Sequence, residues 1–333
     1  MDASSSSGPR EGRALIDATR PYALESRLQS WAHVATTFIA LGLFAALAAV
    51  PPWQGYWPLR LAAGVIEGLI VVRGFILFHD YHHGAMLKGS TAARWIFELY
   101  GLLVLTPSAV WKQTHNYHHA HTAQIVGSHV GSYMMLTTDM WSRLSPRERL
   151  MYKVSRHPLT VLFGYATIFL WGMCLASFLR NPRKNRSSLA ALGLHVALLV
   201  AITWAFGWGV CLTAFVLPLF VAFASGAYLF YAQHNFPGMH VEPRETWSYT
   251  RAALESSSYM ECGALMRWFT GNIGYHHVHH LNPSIPFYRL PEAMNGVEEL
   301  RNPIKTTLRP RDISACFRLK LWDPQRNEMV PFP

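Results

Sequence analysis

Residues 187–241 read SSLAALGLHVALLVAITWAFGWGVCLTAFVLPLFVAFASGAYLFYAQHNFPGMHV, and no Asp, Glu, Lys or Arg interrupts them. As helices rising about 1.5 Å per residue, Leu189 to Phe206 and Val210 to Tyr231 can each cross about 30 Å of hydrocarbon. Gly207-Trp208-Gly209 supplies the turn between them. This stretch predicts two membrane spans joined by a tight connection.

Two more spans lie upstream. His33 to Val50 carries no fixed charge and ends at Pro51-Pro52, and Leu61 to Phe78 is apolar apart from Glu67 and Arg73. Arg73 is near enough to the end to snorkel, whereas Glu67 is deeper and is expected to face protein. Composition agrees with this reading: only 14% of the 333 residues are charged and 51% are apolar, against roughly 25% charged in a soluble domain. Disordered and collagen-like classes are excluded. Cys174, Cys211, Cys262 and Cys316 form no close pair, so neither a disulfide framework nor a thiolate zinc site is expected.

The net charge of +10 would suit nucleic acid, but no segment interleaves basic and aromatic residues on a polar background, and no nucleic-acid binding is expected. Arginine and lysine instead flank the apolar segment Leu159 to Leu179: Arg143, Arg147, Arg149, Lys153 and Arg156 precede it, and Arg180, Arg183, Lys184 and Arg186 follow. The positive-inside rule puts both flanks in the cytosol, so this segment dips into the membrane or lies on it. Trp95 to Trp111, with Pro107 inside it, returns without crossing. Four spans with both termini cytosolic satisfy the pattern. The expected organisation is a mobile cytosolic tail over residues 1–25, an integral-membrane domain over 26–325 with a helical cytosolic cap, and a C-terminal tail over 326–333.

Eleven of the seventeen histidines fall in three short runs, residues 79–83, 115–121 and 276–280, where chance would put about one. His79 and His83 share a helix face at i, i+4; His115, His118 and His119, and again His276, His279 and His280, sit at i, i+3, i+4. His82, His121 and His277 project elsewhere. His234, in Gln233-His234-Asn235, ends the fourth span, and the topology brings it to the same membrane surface as the three runs. His33, His157, His195 and His240 read as structural. Nine neutral imidazoles without cysteine argue against an iron–sulfur cluster or a structural zinc site and are better matched by two metal ions with open positions. Imidazole suits several metals, so ligand type alone does not choose one.

The three boxes, His79-x-x-x-His83, His115-x-x-His118-His119 and His276-x-x-His279-His280, resemble those of the membrane-bound fatty-acid desaturases. The resemblance extends to His79-Asp80, to Trp268-Phe269-Thr270-Gly271-Asn272-Ile273-Gly274-Tyr275 and Leu281-Asn282-Pro283 around the third box, and to Gln233-His234-Asn235-Phe236, which looks like bacterial acyl-lipid desaturases. It implies an all-α membrane protein with a dimetal site, in which two irons, oxygen and two external electrons remove two hydrogens from an acyl chain. The implied ligands are His79, His83, His115, His118, His119, His234, His276, His279 and His280. Asp80, Glu98 and Glu261 are candidates to orient imidazoles from behind. The site would lie on the cytosolic side of a bacterial inner membrane. The chain carries no His-Pro-Gly-Gly motif of a fused cytochrome, so electrons are expected from a separate ferredoxin or small b-type cytochrome. Lipid hydroxylases and carotenoid ketolases are the alternatives within this chemistry. A metal transporter would place its ligands at mid-membrane along a polar path, unlike these span-end boxes.

Overall fold

The computed structural model describes residues 9–49, 55–128 and 130–333, and among these four helices are long and apolar enough to cross a membrane. In chain order the main helices are α1 (Gly12–Thr19), α2 (Arg27–Ala49), α3 (Trp57–His83), α4 (Thr91–Leu103), α5 (Ser108–His121), α6 (Thr138–Arg143), α7 (Pro146–Ser155), α8 (Tyr165–Arg180), α9 (Arg186–Phe206) and α10 (Trp208–Gln233). α2, α3, α9 and α10 are the four membrane-length helices. Pro51-Pro52, the expected end of the first span, lies outside the described residues.

α3 is the central element and packs against both α2 and α10. Of its most apolar stretch 67% is buried, against 17% for α2 and 11% for α9, which turn most of their surface outward. Close backbone approach fixes the α3–α10 contact: a Cβ on Gly64 would lie 2.4 Å from the Thr213 carbonyl oxygen, and one on Gly68 2.6 Å from that of Pro218. Pro218 cannot donate a backbone hydrogen bond, and the turn before it, Leu212–Val216, is π-helical. Gly207, at φ 81°, makes the turn between α9 and α10.

Glu67 is buried, as expected. Arg73 does not snorkel: it is buried, with its Nε donating to Thr37 Oγ1 at 3.0 Å and its guanidinium stacked on the Trp268 ring. The carbonyl of Trp268 and the Nδ1 of His33 take its other donors, so a planar cation finds neutral acceptors inside the protein.

The polar cap contains α11 (Tyr249–Glu255), β1 (Tyr259–Glu261), α12 (Ala264–Phe269), α13 (His276–Leu281), α14 (Leu290–Gly296), β2 (Lys305–Thr307), α15 (Pro310–Arg318), β3 (Leu321–Asp323) and β4 (Glu328–Val330). β1 pairs with β2 in parallel, and β3 with β4 antiparallel. Described residues near both ends of the chain pack on this cap. Leu15 of α1 is buried, Arg10 pairs with Glu299 at 2.8 Å, and Asn282 donates to Thr19 Oγ1 at 2.9 Å. Ser4 to Gly8 lie outside the described residues. At the other end residues 326–333 include β4, whose Met329 and Val330 are buried. Asp323 Oδ1 holds the hairpin turn by accepting from the backbone N–H groups of Gln325 and Arg326.

Candidate metal centre

Three C-terminal helix ends carry the first histidines. α3 stops at Gly84, whose left-handed φ of 73° lets its N–H cap the helix on Asp80 and Tyr81, so His83 ends the helix and His79 lies one turn before it. His115, His118 and His119 lie in the last two turns of α5, and His234 caps the end of α10. Helix C-termini carry partial negative charge, so each favours a nearby cation by about 0.3–1 kcal/mol.

The third box is delivered by the turn before it. Gly271 (φ 50°) and Asn272 (φ 54°) adopt left-handed conformations, and the Asn272 side chain donates to the Phe287 carbonyl. A Cβ on Gly271 would meet Ile76 of α3 at 2.8 Å, and one on Gly274 the Met260 carbonyl oxygen at 2.5 Å. The two glycines of Gly271-Asn272-Ile273-Gly274 therefore let α13 seat on α3 and β1.

All nine candidate histidines meet in two groups. His79, His83, His115, His119 and His279 form one, and His118, His234, His276 and His280 the other, with one nitrogen from each member within 4.8 Å of the rest of its group. The spacing explains the division. Each i, i+4 pair (His79/His83, His115/His119, His276/His280) stays within one group, while the i+3 histidines, His118 and His279, cross to the other. A box of the form His-x-x-His-His thus feeds both groups from one helix face.

Several Nε2 atoms nearly touch: His119 with His115 at 3.1 Å, His279 with His119 at 3.1 Å, His118 with His234 at 3.1 Å and His276 with His234 at 2.8 Å. Imidazole nitrogens about 2.1 Å from a common cation at right angles are about 3.0 Å apart. The donor sets therefore fit metal ions. Burial, reinforced by the neighbouring imidazoles, holds His115, His118, His119, His276, His279 and His280 well below the usual histidine range. His234 is pushed down to about 4 by burial, although its Nδ1 hydrogen bond to the Ser256 carbonyl works the other way. The rings are neutral at pH 7 with lone pairs available.

Of the three candidate carboxylates, one stands behind an imidazole. Asp80 Oδ1 lies 2.9 Å from His79 Nδ1, and its Oδ2 accepts from the Phe287 N–H at 2.6 Å. Glu261, at the outward position of β1, forms an exposed ion pair with Lys305 at 3.2 Å. Glu98 lies on the exposed side of α4 and makes no hydrogen bond to a histidine. His121 and His277 point away, onto the carbonyls of Tyr117 and Leu300. His82 packs its ring edge against Phe78. His157 caps a helix, His195 meets the Tyr165 hydroxyl at 2.7 Å, and His240 meets Glu242 at 3.3 Å, as expected of structural histidines. Sequence reading missed the Ser256 carbonyl behind His234 and Trp111 stacked on His115 at 4.4 Å. A backbone acceptor leaves no mark in sequence, although Trp111, four residues before His115 on α5, is visible once a helix is drawn.

Four membrane-length helices, two of which end beside a pair of carboxylate-free histidine groups able to hold metal ions, define a class: helical membrane proteins with a histidine-rich metal-binding site. Residues 51–310 match the family model described as fatty acid desaturase, and the chain belongs to that family. It is 36% identical over 281 residues to a fatty acid desaturase of Bacillus subtilis, covering 82% of this chain and 78% of the relative. Two proteins of Synechocystis are more distant. An sn-1 acyl-lipid omega-3 desaturase (ferredoxin) is 24% identical over 285 residues, with 79% and 74% covered. An sn-1 oleoyl-lipid 12-desaturase is 24% identical over 293 residues, with 83% and 77% covered.

Proposed function

We propose that the chain is an oxygen-dependent acyl-lipid desaturase that removes two hydrogens from an acyl chain and receives two electrons from a separate ferredoxin or small b-type cytochrome. The observation that carries this reading is the partition of nine imidazoles, seven of them buried and two half-buried, into two groups beside the ends of two membrane-length helices. His79, His83, His115, His119 and His279 would hold one iron, and His118, His234, His276 and His280 the other. An unactivated methylene has no acidic proton and no leaving group; iron held by these histidines would supply, with oxygen as co-substrate, the oxidising power that side chains lack.

The chain's own residues position and exclude. Asp80 accepts the His79 Nδ1 proton and the Ser256 carbonyl accepts that of His234, so both rings present Nε2 inward. Trp111 and Phe230 cover His115 and His118 and keep water from the first contact layer. The apolar helices admit an acyl chain from the bilayer, and the polar cap faces the electron donor. The Lys/Arg distribution supports a cytosolic orientation in a bacterial inner membrane.

The test is expression in a desaturase-deficient host, with lipid mass spectrometry that locates double bonds. One additional double bond per product chain is expected. An unchanged lipid profile from membrane-inserted, metal-loaded protein would refute the proposal.

A further inference from the structure

Each histidine group contains one member that is only half-buried, His83 in the first and His234 in the second. His234 borders a small space of about 30 Å³. His83 borders an open cavity of about 650 Å³ between the end of α3, α4, α5 and the start of α9.

Three cations surround this cavity, Lys88, Arg94 and Lys112, against one acid, Glu98. Among the described residues no carboxylate lies within 4.0 Å of any of the three cationic groups, although many other arginines are paired. Ser108, on the wall, is buried with its hydroxyl unpartnered, and the Nε2 atom of His82, outside both histidine groups, is likewise buried without a partner. Desolvated polar atoms without partners are uncommon in folded proteins and mark places where something else binds. The volume is that of a small-molecule site, and a protein partner would need a broad surface of about 800 Å² per side instead. Beside Arg94 and Glu98 on α4, Trp95 and Leu99 are 66% and 55% exposed, with the Arg94 guanidinium 5.3 Å from the Trp95 ring centroid. The mouth therefore opens where lipid meets water.

We infer that this cavity is a headgroup site for an anionic phospholipid, with its phosphate held by Lys88, Arg94 and Lys112. A lipid seated there by its headgroup has its acyl chains beside the five-histidine group. This rests on the proposed desaturase reading and extends it: the acyl-lipid substrate is selected by headgroup charge.

The test uses the full-length metal-loaded protein in neutral detergent and measures binding by native mass spectrometry, without turnover. The probes are dihexanoyl phosphatidylglycerol, dihexanoyl phosphatidylcholine and inorganic phosphate. Both lipids carry the phosphate, but the choline ammonium of phosphatidylcholine is repelled by the three cations, so phosphatidylglycerol should bind about tenfold tighter. The triple variant Lys88→Gln, Arg94→Gln, Lys112→Gln should lose that preference, and Glu98→Gln should increase it. The three cations are exposed, so the triple variant should keep the parent's melting temperature, while the same neutralisation of three exposed cations at Arg180, Arg183 and Lys184 should leave binding unaltered. Equal binding of the two lipids by the parent protein would overturn the inference. So would an undiminished preference in the triple variant, or inorganic phosphate binding as tightly as phosphatidylglycerol. A triple variant with intact lipid preference but a raised KM for an acidic redox protein would assign the cations to the electron donor. Because the readout is binding, loss of desaturation with retained lipid preference refutes the function and leaves the headgroup site standing.

Discussion

Replacing Asp80 by asparagine keeps the side chain's volume and removes one acceptor oxygen. Oδ2 accepts from the Phe287 N–H at 2.6 Å and Oδ1 lies 2.9 Å from His79 Nδ1. An asparagine that keeps the Phe287 bond turns its NH₂ toward His79, so Nδ1 loses its acceptor and the ring proton is driven to Nε2, the nitrogen needed by the metal. Loss of such a supporting contact typically costs 10–100-fold in metal affinity, about 1.4–2.7 kcal/mol. His79 belongs only to the five-histidine group, which makes the expectation asymmetric. Anaerobic calorimetric titration of iron(II) into stripped D80N should show one of two binding steps weakened about 10–100-fold and the other unchanged. D80A should behave the same and in addition lose about 1–3 kcal/mol of folding stability, because the buried Phe287 N–H is left without an acceptor. Both steps within twofold of the parent, or both weakened equally, would refute the assignment.

Four further outcomes are expected. Gly274→Ala, whose Cβ would lie 2.5 Å from the Met260 carbonyl oxygen, should cost about 1–3 kcal/mol by thermal melting and reduce metal content. Glu261→Gln and Glu98→Gln should leave metal content unchanged, since the Glu261–Lys305 pair is exposed and worth about 0–1 kcal/mol. Burial pushes His234 and His277 down to about 4, so between pH 4 and the unfolded value near 6.5 the unfolded chain binds more protons. Stability of the stripped protein is therefore full above about pH 6.5 and falls by about 2 kcal/mol per histidine on acidification to pH 5; a melting temperature that stays level or rises would contradict this. Cysteines placed at the exposed positions Arg183 and Glu245 should resist an impermeant reagent in intact cells, and labelling from outside would overturn the cytosolic orientation.

The spans and the histidine groups were legible because their signals are local. An uncharged run over 187–241 fixes helix length, and box spacings fix which imidazoles share a face. The fourth-span histidine was legible once topology placed Gln233-His234-Asn235 at the same surface as the boxes. What sequence could not assign was the division of the nine, because which side of α5 and α13 meets which neighbour depends on tertiary placement. Arg73 was misread for the same reason: its acceptors, Thr37 and the Trp268 carbonyl, lie 36 and 195 residues away. The docking of the chain's ends was not legible because polar, Ser- and Pro-containing stretches carry few apolar residues, yet Leu15 in α1 and Met329 with Val330 in β4 suffice to seat short elements on the cap. Glu261 shows the limit of proximity in sequence, since its place on the outward face of a three-residue strand separates it from the box 15 residues on.

The most direct test of the central claim follows the atoms. Protein loaded with iron, given a reduced ferredoxin, ¹⁸O₂ and a lipid dideuterated at both reacting carbons, should yield a chain with one more double bond and one deuterium fewer at each of the two carbons. All ¹⁸O should be recovered in water and none in lipid, with one oxygen consumed per two hydrogens removed. Recovery of ¹⁸O in the lipid as a hydroxyl or a ketone would contradict desaturation and assign the site to hydroxylation or ketolation.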